Sequence, residues 1–481
     1  MGKVVKIGLI PAAGAGVRAY PATNYVPKVM LEIAGKPIIL RNIEILRDDV
    51  GVTDIYVIVG YKGDDIRAFL GDGSRLGVRL GYIDCPDYRT GLACGVLLAR
   101  EKIKEKFITI LGDEIYINSN HGMMRDFGKD DFAAVCGIMR TDDLNLIAKN
   151  YSVRLSDDRI TELEEKPTHI ENNILGCGTY IFTPEIFGAI ERTKPSKRSG
   201  RVEFTDAINT LAKEGGIVYP FFLEGIYQNI NSVEDCNYAN YLYRSTFFDT
   251  FKTSVVIPAY NEEESIAYVI RDFIDHVDEV FVVDNSSKDN TRQVALKAGA
   301  RVETVKLKGY GDTIRYGLDN AKGDILIIVE ADNSFKAKDL GKLLEYMKDS
   351  DMVMGTRTTR QMIEQGANMR GLLRLGNLFV AKLVEVLWWA QEPRFTDVGC
   401  TYRAIWRDAY LKIKDNLRGI GPEFSPEMMI EILRARKRVI EVPISYYKRL
   451  TGVSKHSESY LKISKTALRM LRMIFEKRFN L

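Results

Sequence analysis

The sequence predicts two α/β domains in tandem, each a Rossmann-like, doubly wound sheet of mainly parallel strands. Three observations lead to this fold class. The chain has 481 residues, which exceeds the length at which a single hydrophobic core usually stops growing. Short segments rich in Val and Ile alternate with longer helical stretches in both halves, as expected for parallel strands that are covered on both faces. Gly, Asp and Asn follow these segments, at the strand ends where such sheets bind their ligands.

The strand segments form two separate series. In the first half they read KIGLIPA, DIYVIVG, FITILGD and AAVCGIM, and in the second SVVIPAY, EVFVVDN and DILIIVEAD. The second series starts in mid-chain as if a new protein began there, so we expect domains at residues 1–245 and 251–481. Residues 240–253, NYLYRSTFFDTFKT, lack the Gly, Ser or Pro of a flexible linker. A short helical connection is therefore favoured over a tether.

Composition excludes several classes of protein. A net charge of +3 is not that of a dedicated nucleic-acid binder, so no nucleic-acid partner is expected. The most apolar stretch, LGNLFVAKLVEVLWWA, contains Lys382 and Glu385 and does not resemble a membrane span. The N-terminus lacks the layout of a signal peptide, and six cysteines without CxxC spacing indicate reduced thiols. We therefore expect a cytoplasmic protein.

A glycine-rich segment follows the first strand and precedes two basic residues. It reads PAAGAGVRAYPATNYVPKVM and contains Gly14, Gly16, Arg18 and Lys28. Glycines let backbone N–H groups approach phosphate oxygens closely, and the basic side chains add fixed positive charge. A plain tight turn and a solvated lysine are the alternative interpretations of these residues.

This segment resembles the signature of sugar-phosphate nucleotidyltransferases, and the similarity continues to about residue 245 through TGLACGVLLA, LGDEI, EEKP, GCGTYIF and RVEFTDAI. The resemblance implies that Gly91 lies in the loop for base and sugar and that Asp113 binds a metal. It places Glu165 and Lys166 at the sugar and its phosphate. The implied reaction is attack of a sugar 1-phosphate on the α-phosphorus of a nucleoside triphosphate. Arg18, Lys28 and Lys166 would then be the catalytic cations, with Mg²⁺ or Mn²⁺ as cofactor.

One position departs from the family pattern in a way that bears on the metal. The family has a second metal-binding Asp in a WxDxxT-like segment, and here YQNINSVED places Asn229 there. An amide oxygen can bind Mg²⁺ but brings no negative charge, so the affinity for the metal is expected to fall. Asn231 and Asp235 are the candidates for compensation.

The second series of motifs resembles family 2 glycosyltransferases of the GT-A fold. The similarity rests on VVIPAYNEEES, VFVVDNSSKDNT, KGYGDTIRYGL and ILIIVEADNSF. It implies that nucleotide base and ribose are contacted by Pro258, Tyr260, Glu262 and Asp284. Glu330 and Asp332 lie two residues apart at a strand end, so both carboxylates can face one divalent metal ion, Mg²⁺ or Mn²⁺. A solvated acidic loop is the alternative interpretation of this pair.

Later segments resemble the polyprenyl-phosphate sugar synthases, such as dolichyl-phosphate mannose synthase. These segments are FTDVGCTYRAIWRD, EFSPEMMIEIL and IEVPISYYKRLTGVSK. The resemblance places Asp397 and Arg403 at the acceptor side. It places Glu427 where many members of the family carry a catalytic acid. Arg449 and Lys455 would belong to a loop that closes over the leaving diphosphate. A lipid-phosphate acceptor is already ionised and needs no base, whereas a hydroxyl acceptor would need Asp397 or Glu427. The sequence leaves both acceptors open.

The C-terminal stretch is basic and amphipathic. Residues 448–481 contain nine Lys or Arg against two Glu. One helical face carries Tyr460, Ile463, Ala467, Leu471 and Ile474. This helix either lies on an anionic membrane surface, at the inner face of the membrane near a polyprenyl-phosphate acceptor, or packs against the catalytic domain.

The expected function is therefore bifunctional. The first domain would make a nucleotide-sugar from a sugar 1-phosphate and a nucleoside triphosphate, and the second would transfer its sugar to an acceptor. In the alternatives, the first domain is a weakly active or regulatory binding module because of Asn229, or it acts on a non-sugar phosphate. A non-enzymatic scaffold is the remaining, least favoured, interpretation.

Overall fold

The structure, a computed structural model, describes residues 5–365, 367, 371–450 and 460–479. The chain divides into two compact units between Tyr243 and Arg244. The division falls within a helix, Val233–Phe247, so the connection is helical, in agreement with the composition of this segment.

The first unit contains thirteen strands and most of seven helices in the described part of the chain. The strands are β1 (Ile7–Ala12), β2 (Glu32–Ile33), β3 (Lys36–Pro37), β4 (Asp54–Val59), β5 (Arg79–Asp84), β6 (Phe107–Ile110), β7 (Glu114–Ile117), β8 (Ala134–Arg140), β9 (Tyr151–Ser156), β10 (Arg159–Glu165), β11 (Ile174–Phe182), β12 (Val218–Phe222) and β13 (Ile226–Asn229). The helices are α1 (Ile38–Glu44), α2 (Gly63–Leu70), α3 (Leu92–Leu97), α4 (Leu144–Lys149), α5 (Glu185–Arg192), α6 (Phe204–Lys213) and α7 (Val233–Phe247).

The main sheet of this unit has the order β10-β9-β11-β6-β1-β4-β5, with β8 beside β11 and β12 beside β8. Strands β1, β4, β5 and β6 are parallel, as the sequence predicts. Strand β11 runs antiparallel to β6 and β8, so the sheet is mixed rather than parallel throughout. The carboxyl ends of β1 and β6 therefore meet at one edge of the sheet, and the loops that follow them are neighbours.

Burial explains why these segments become strands. Successive residues of β1 and β4 enter different apolar clusters: Leu9 and Ile58 lie in one, Ile10 and Val57 in the other. Because side chains alternate between the two faces of a strand, both faces of this sheet are covered. That arrangement requires the unbroken Val and Ile runs that the sequence contains.

The second unit contains a seven-stranded sheet with the order β16-β15-β14-β17-β19-β18-β20. Its strands are β14 (Thr253–Ala259), β15 (Glu279–Asp284), β16 (Arg301–Thr304), β17 (Ile325–Ile328), β18 (Met352–Thr356), β19 (Arg403–Trp406) and β20 (Val439–Pro443). Its helices are α8 (Ile266–Phe273), α9 (Thr291–Lys297), α10 (Tyr310–Asn320), α11 (Leu340–Met347), α12 (Gly371–Leu387), α13 (Arg407–Ile413), α14 (Phe424–Arg434) and α15 (Tyr460–Phe479). Strands β14 to β17 are parallel and β19 is antiparallel to its neighbours.

The two units are therefore mixed α/β folds dominated by parallel strands, which confirms the predicted fold class. The six cysteines are free thiols, four of them buried, which agrees with the prediction of reduced residues. None of the helices in the described ranges combines the length and the apolar character needed to cross a bilayer.

Candidate active sites

A cleft of about 380 Å³ opens at the carboxyl ends of the parallel strands of the first unit. Loops after β1 and β6, the start of α3 and the ends of β10 and β13 form its walls. The structure brings eight predicted site residues to this cleft: Gly14, Arg18, Lys28, Gly91, Asp113, Glu165, Lys166 and Asn229. The volume falls within the range of small-molecule sites.

The glycine-rich loop holds Lys28 in place through Gly16. Gly16 has a φ of 60°, a left-handed conformation that side chains with a Cβ disfavour. A Cβ added here would lie 2.9 Å from the Cβ of Lys28. The carbonyl of Gly16 also accepts a hydrogen bond from Thr23 Oγ1 at 3.0 Å. Gly16 is therefore required by the close approach of the loop to Lys28.

Two cations are anchored on the wall of the cleft. Lys28 Nζ lies 2.5 Å from Asp113 Oδ2, with 11% of the lysine side chain and 30% of the aspartate side chain exposed. Arg18 Nη2 donates to Asn231 Oδ1 at 2.5 Å. Lys28, predicted as a catalytic cation, and Asp113, predicted as a metal ligand, are thus in direct contact.

The opposite wall carries Glu165 and Lys166 at the end of β10. Lys166 has a φ of 48°, and its N–H donates to the carbonyl of Asn150 at 2.7 Å. Burial, followed by the nearby Glu203 carboxylate, raises the pKa of Glu165 to about 7. Glu165 and Lys166 therefore both line the cleft, as the motif EEKP predicts.

Glu114, which was not predicted as a site residue, follows Asp113 and also lines the cleft. It is 2% exposed and accepts hydrogen bonds from Tyr116 Oη (2.6 Å), Tyr227 Oη (2.7 Å) and the N–H of Gly178 (2.8 Å). Burial and the Asp113 carboxylate raise the pKa of Glu114 to about 7. The available signal was a charged residue at the head of the otherwise apolar strand EIYI.

The residues at Asp113 fit a divalent cation. Asp113 offers a carboxylate, and Asn229 Oδ1 is a buried oxygen that accepts no hydrogen bond. Hard oxygen donors of this kind suit Mg²⁺ or Mn²⁺, which keep several ligands for water and substrate phosphates. Among the described residues no group of three or more His, Cys, Asp or Glu could hold a metal ion, so substrate oxygens would complete the shell.

The two residues proposed to compensate for Asn229 are engaged elsewhere. Asn231 accepts from Arg18. Asp235 Oδ2 accepts from the N–H groups of Asn231 and Ser232, both at 2.9 Å, while Ser232 Oγ accepts from the N–H of Asp235. This reciprocal pattern is a capping box at the start of α7. The expectation that Asn231 or Asp235 replaces the missing metal ligand is therefore not supported by their contacts.

In the second unit the loops after β14 and β15 are joined by hydrogen bonds. The N–H of Asn261 donates to Ser287 Oγ at 2.9 Å, and Asn261 Oδ1 accepts from the N–H of Lys288 at 2.8 Å. Asp284 is 2% exposed and accepts from the N–H of Ser287 and from Thr304 Oγ1. Of the residues predicted to contact the nucleotide, Tyr260 is 41% exposed.

The remaining two residues of that set have different surroundings. Pro258 is buried within β14, so its side chain belongs to the core. Glu262 accepts from Ser265 Oγ at 2.9 Å, and its N–H donates to Thr291 Oγ1 at 2.8 Å. Pro258 and Asp284 therefore shape the loops from within, and Tyr260 is the residue of this set that faces solvent.

The acidic pair at the end of β17 meets Arg449. Arg449 Nη2 lies 3.3 Å from Glu330 Oε2, and its Nε lies 2.9 Å from Asp332 Oδ2. The pairing of Arg449 with both carboxylates shows that this acidic site holds positive charge. Burial and the Asp332 carboxylate raise the pKa of Glu330 to about 7. The two carboxylates fit Mg²⁺ or Mn²⁺ by the chemistry of their donors.

Glu330 is oriented by a short chain of hydroxyl groups. Its Oε1 accepts from Thr401 Oγ1 at 2.8 Å, and Thr401 Oγ1 accepts from Tyr310 Oη at 3.0 Å. Thr401 and Tyr310 were not predicted as site residues, although they lie in the segments FTDVGCTYRAIWRD and KGYGDTIRYGL. Lys455, predicted to close over the diphosphate, lies outside the described residues.

The two candidate bases are tied into structural contacts. Asp397 is 0% exposed, and Arg357 holds both of its oxygens, with Nε–Oδ2 at 2.7 Å and Nη2–Oδ1 at 2.9 Å. Burial by itself raises the pKa of Asp397, but the Arg357 charge and hydrogen bonds outweigh it and leave the pKa below its ordinary value. An ionised carboxylate held in this way is a poor base.

Glu427 and Arg403 show the same kind of engagement. Glu427 is 1% exposed. Its oxygens accept from the N–H of Gly419 at 2.6 Å and contact Lys477 Nζ at 3.0 Å. Arg403 is 1% exposed and donates to the carbonyls of Ser425 and Cys400. Asp397, Glu427 and Arg403 are thus held in the interior by fixed partners. The roles predicted for Asp397 and Arg403 at the acceptor side, and for Glu427 as a catalytic acid, stay predictions.

One residue of the apolar face predicted for the C-terminal helix α15 lies in the core of the second unit. Ile474 is 0% exposed and belongs to the core of the second unit; the side chains of Tyr460 and Ile463 lie outside the described residues. A different set points outward: Leu468, Phe475 and Phe479 are 69%, 41% and 58% exposed. Ala467 and Leu471, which also belong to the predicted face, are half-buried. Packing against the domain and contact with a membrane therefore both stay predictions.

Two family models match the chain. The model of the nucleotidyl transferase family matches residues 7–286, more than half of the chain. The model of glycosyl transferase family 2 matches residues 254–402. These matches confirm the predicted combination of the two families.

Curated relatives match about half of the chain. The low-salt glycan biosynthesis nucleotidyltransferase Agl11 of Haloferax volcanii is 33% identical over 239 residues, which are 49% of this chain and 65% of the relative. A glucose-1-phosphate thymidylyltransferase of Streptomyces griseus is 32% identical over 242 residues, 50% of this chain and 66% of the relative. The chain thus spans slightly less than two thirds of each of these two.

A third relative is matched over most of its length. The UTP–glucose-1-phosphate uridylyltransferase AglF of Haloferax volcanii is 34% identical over 229 residues, which are 47% of this chain and 92% of the relative. The cleft that contains Lys28 and Asp113 lies within residues 7–286, which the nucleotidyl transferase family model matches. The chain therefore belongs to the nucleotidyl transferase family, and a domain of glycosyl transferase family 2 follows in its second half.

Proposed function

We propose that this chain is a bifunctional enzyme. Residues 1–245 transfer a nucleotidyl group to a sugar 1-phosphate, and residues 251–481 transfer the sugar of a nucleotide-sugar to an acceptor. The observation that carries the proposal is a contact between a cation and a carboxylate at the strand ends of each unit: Lys28 with Asp113, and Arg449 with Glu330 and Asp332. Relatives named for glucose 1-phosphate support the substrate class of the first reaction.

In the first reaction a phosphate oxygen of the sugar 1-phosphate attacks the α-phosphorus of the triphosphate, and pyrophosphate leaves. The attacking oxygen is already ionised, so this cleft needs no base. Arg18 and Lys28 hold the triphosphate oxygens, while Lys166 binds the sugar phosphate. Mg²⁺ or Mn²⁺, held by Asp113 and Asn229, supplies further neutralisation of charge when bound. Catalysis here consists of positioning charged groups around phosphate.

In the second reaction Tyr260 and the joined loops after β14 and β15 receive the nucleoside. Glu330 and Asp332 hold the divalent cation that neutralises the diphosphate when it is bound. Arg449 lies on this acidic pair and is placed to contact the diphosphate as it leaves. Thr401 and Tyr310 keep the Glu330 carboxylate oriented.

The acceptor that fits this site is a lipid phosphate. A hydroxyl acceptor needs a carboxylate to take its proton, and both candidates, Asp397 and Glu427, are buried and already bound by Arg357 and Lys477. A phosphate monoester is ionised at neutral pH and needs no base. The engagement of both carboxylates therefore supports a polyprenyl phosphate over a hydroxyl.

A membrane surface is the expected location of such an acceptor. Helices α12 and α15 pack against each other, and each exposes an apolar stripe with helical spacing. On α12 the stripe consists of Leu375, Phe379 and Val386, which are 64%, 63% and 70% exposed. On α15 it is Leu468, Phe475 and Phe479. Lys382 and Arg472 lie within these stripes, and each is paired with a glutamate of its own helix, Glu385 and Glu476. The proposed membrane contact therefore rests on the exposed apolar side chains.

The two reactions would be consecutive. Covalent linkage of the two active sites raises the local concentration of the shared nucleotide-sugar. The described residues of each site belong to a single unit, so each reaction can be assayed separately in the full chain.

The test is product analysis with two reciprocal variants. The full chain is incubated with Mg²⁺, the four nucleoside triphosphates, pooled sugar 1-phosphates and a polyprenyl phosphate, and the products are identified by mass spectrometry. Lys28→Ala is expected to abolish formation of the nucleotide-sugar but to transfer sugar from a supplied one. Asp332→Ala is expected to do the reverse. Loss of both activities in either folded variant would contradict the assignment of two sites.

Matched controls remove similar charges at the surface. Lys104→Ala removes a lysine that is 65% exposed, and Asp275→Ala removes an exposed aspartate; both variants are expected to keep both activities. If the wild type forms no nucleotide-sugar with any supplied substrate, the first unit is a binding or regulatory module rather than an enzyme.

A further inference from the structure

A buried carboxylate faces the amide that replaces the missing metal-binding aspartate. Strands β7 and β13 pair antiparallel, with Glu114 directly opposite Asn229. Asn229 Nδ2 lies 3.5 Å from Glu114 Oε1 and donates towards it. The other end of the amide, Oδ1, is buried and accepts no hydrogen bond. The Asn229 carbonyl is thus turned away from Glu114.

The position of the Glu114 carboxylate is fixed from several directions. Tyr116 and Tyr227 lie on the same face of the strand pair, and their hydroxyl groups donate to Oε2 and Oε1. The N–H of Gly178 donates to Oε2. A Cβ at position 178 would lie 2.5 Å from both carboxylate oxygens, so the glycine makes room for the carboxylate. Such a set of partners is built for a carboxylate rather than for an apolar side chain.

The charges around the cation site indicate a role for the contact between Glu114 and Asn229. Asn229 supplies an oxygen but no negative charge, and Asn231 and Asp235 are bound elsewhere. Lys28 already offsets the charge of Asp113. Glu114 is an acidic residue that contacts Asn229, and it directly follows Asp113 in the sequence.

We propose that Glu114 is a positioning residue for the divalent cation of the first unit. Its carboxylate accepts from the Asn229 amide so that Oδ1 is presented to the cation, and it supplies nearby the negative charge that asparagine lacks. Groups that orient metal ligands commonly change metal affinity about 10- to 100-fold when they are removed. The inference rests on the proposed metal-dependent function of this cleft.

The test is a double-mutant cycle on Mn²⁺ binding by the full chain. All proteins carry Asp332→Asn, so that binding to the acidic pair of the second unit is suppressed. The dissociation constant of Mn²⁺ alone is measured by electron paramagnetic resonance for the parent, Glu114→Gln, Asn229→Asp and the double variant. Glu162→Gln, which removes a glutamate 54% exposed in β10, is the matched control.

The expected pattern is non-additive. Glu114→Gln raises the dissociation constant about 10- to 100-fold in the parent. In the Asn229→Asp background the same change has an effect of less than about threefold, because an aspartate carries its own charge and presents an oxygen in either orientation. The control leaves the dissociation constant unchanged.

Three results would overturn the inference: equal effects of Glu114→Gln in both backgrounds, no effect in the parent, or no Mn²⁺ binding by the parent at millimolar concentration. Circular dichroism and thermal unfolding verify that each variant is folded. Nucleotidyl transfer is measured separately. The predicted binding pattern without turnover would reject the proposed function alone, and turnover without the pattern would reject this inference alone.

Discussion

Replacing Arg357 by methionine is expected to destabilise the second unit strongly and in a pH-dependent way. Arg357 binds Asp397 through two side-chain hydrogen bonds of 2.7 and 2.9 Å, and its N–H donates to the same carboxylate at 3.1 Å. Asp397 is 0% exposed. Methionine retains much of the volume and the backbone donor, but it leaves the carboxylate without its counter-charge.

The magnitude follows from the cost of an unpaired buried charge. Removing one partner of a buried ion pair typically costs about 3–5 kcal/mol. In the wild type the pKa of Asp397 is lowered, so its stabilising contribution is present above the unfolded pKa and is lost as the pH falls through the folded pKa. Without Arg357, burial raises the folded pKa of Asp397 above its unfolded value. The variant is then stabilised in acid, and that stability is lost as the pH rises.

The loss of stability is therefore expected to be about 3–5 kcal/mol at pH 8 and at least about 1 kcal/mol smaller at pH 5. Intrinsic tryptophan fluorescence during urea unfolding measures it. The three tryptophans of the chain, Trp388, Trp389 and Trp406, all belong to the second unit, so the signal follows that unit. Arg360→Met, which removes an exposed arginine, is the control.

A loss below about 1 kcal/mol that does not change with pH would refute the reasoning, because it would mean that Asp397 is not held as a buried anion.

The double variant Arg357→Gln/Asp397→Asn extends the test to function. It replaces the ion pair by a neutral hydrogen-bonded pair of similar shape. Substantial sugar transfer to a polyprenyl phosphate is expected from it, whereas a catalytic base at Asp397 would leave the double variant inactive.

Two further predictions concern the glycine-rich loop and the exposed stripes. Gly16→Ala is expected to lower the rate of nucleotidyl transfer about 10- to 100-fold by displacing Lys28, while sugar transfer continues. The control is Gly128→Ala, whose Cβ would meet nothing within 4 Å. Equal rates for the two variants would contradict the role of the loop. Phe379→Ser and Val386→Ser are each expected to weaken binding to vesicles of anionic lipid about tenfold, as measured by co-sedimentation. The control is Leu144→Ser, which replaces an exposed leucine of the first unit. Unchanged binding of the Phe379 and Val386 variants would exclude this face as the membrane contact.

Much of the fold follows from local pattern. The segments around Leu9, Val57 and Val255 are continuous apolar runs, and they became the parallel strands β1, β4 and β14. Strand β11 contains the motif GCGTYIF and runs antiparallel to β6 and β8, a direction that the motif did not predict. Strand direction depends on the path of the connections rather than on the composition of the strand, so it could not be derived from that segment.

The first site could be predicted in large part because its residues follow strands in order along the chain. Lys28 and Asp113 lie after β1 and β6, which are neighbours in the sheet, so the sequence places them at one edge. The same logic identified Glu330 and Asp332 after β17. Arg449 was recognised by resemblance, but its contact with both carboxylates spans more than a hundred residues and required the fold.

The sequence alone determined that two α/β nucleotide-handling units succeed each other, since strand periodicity, glycine-rich loops and acidic strand ends are local features. Only the tertiary structure decided which carboxylates remain available for chemistry. Arg357 closes on Asp397 and Lys477 on Glu427, while Glu114 turns towards Asn229 across 115 residues. Whether a charged side chain is a ligand or a structural anion depends on the partner that meets it in the folded chain, and that partner lies far away in sequence.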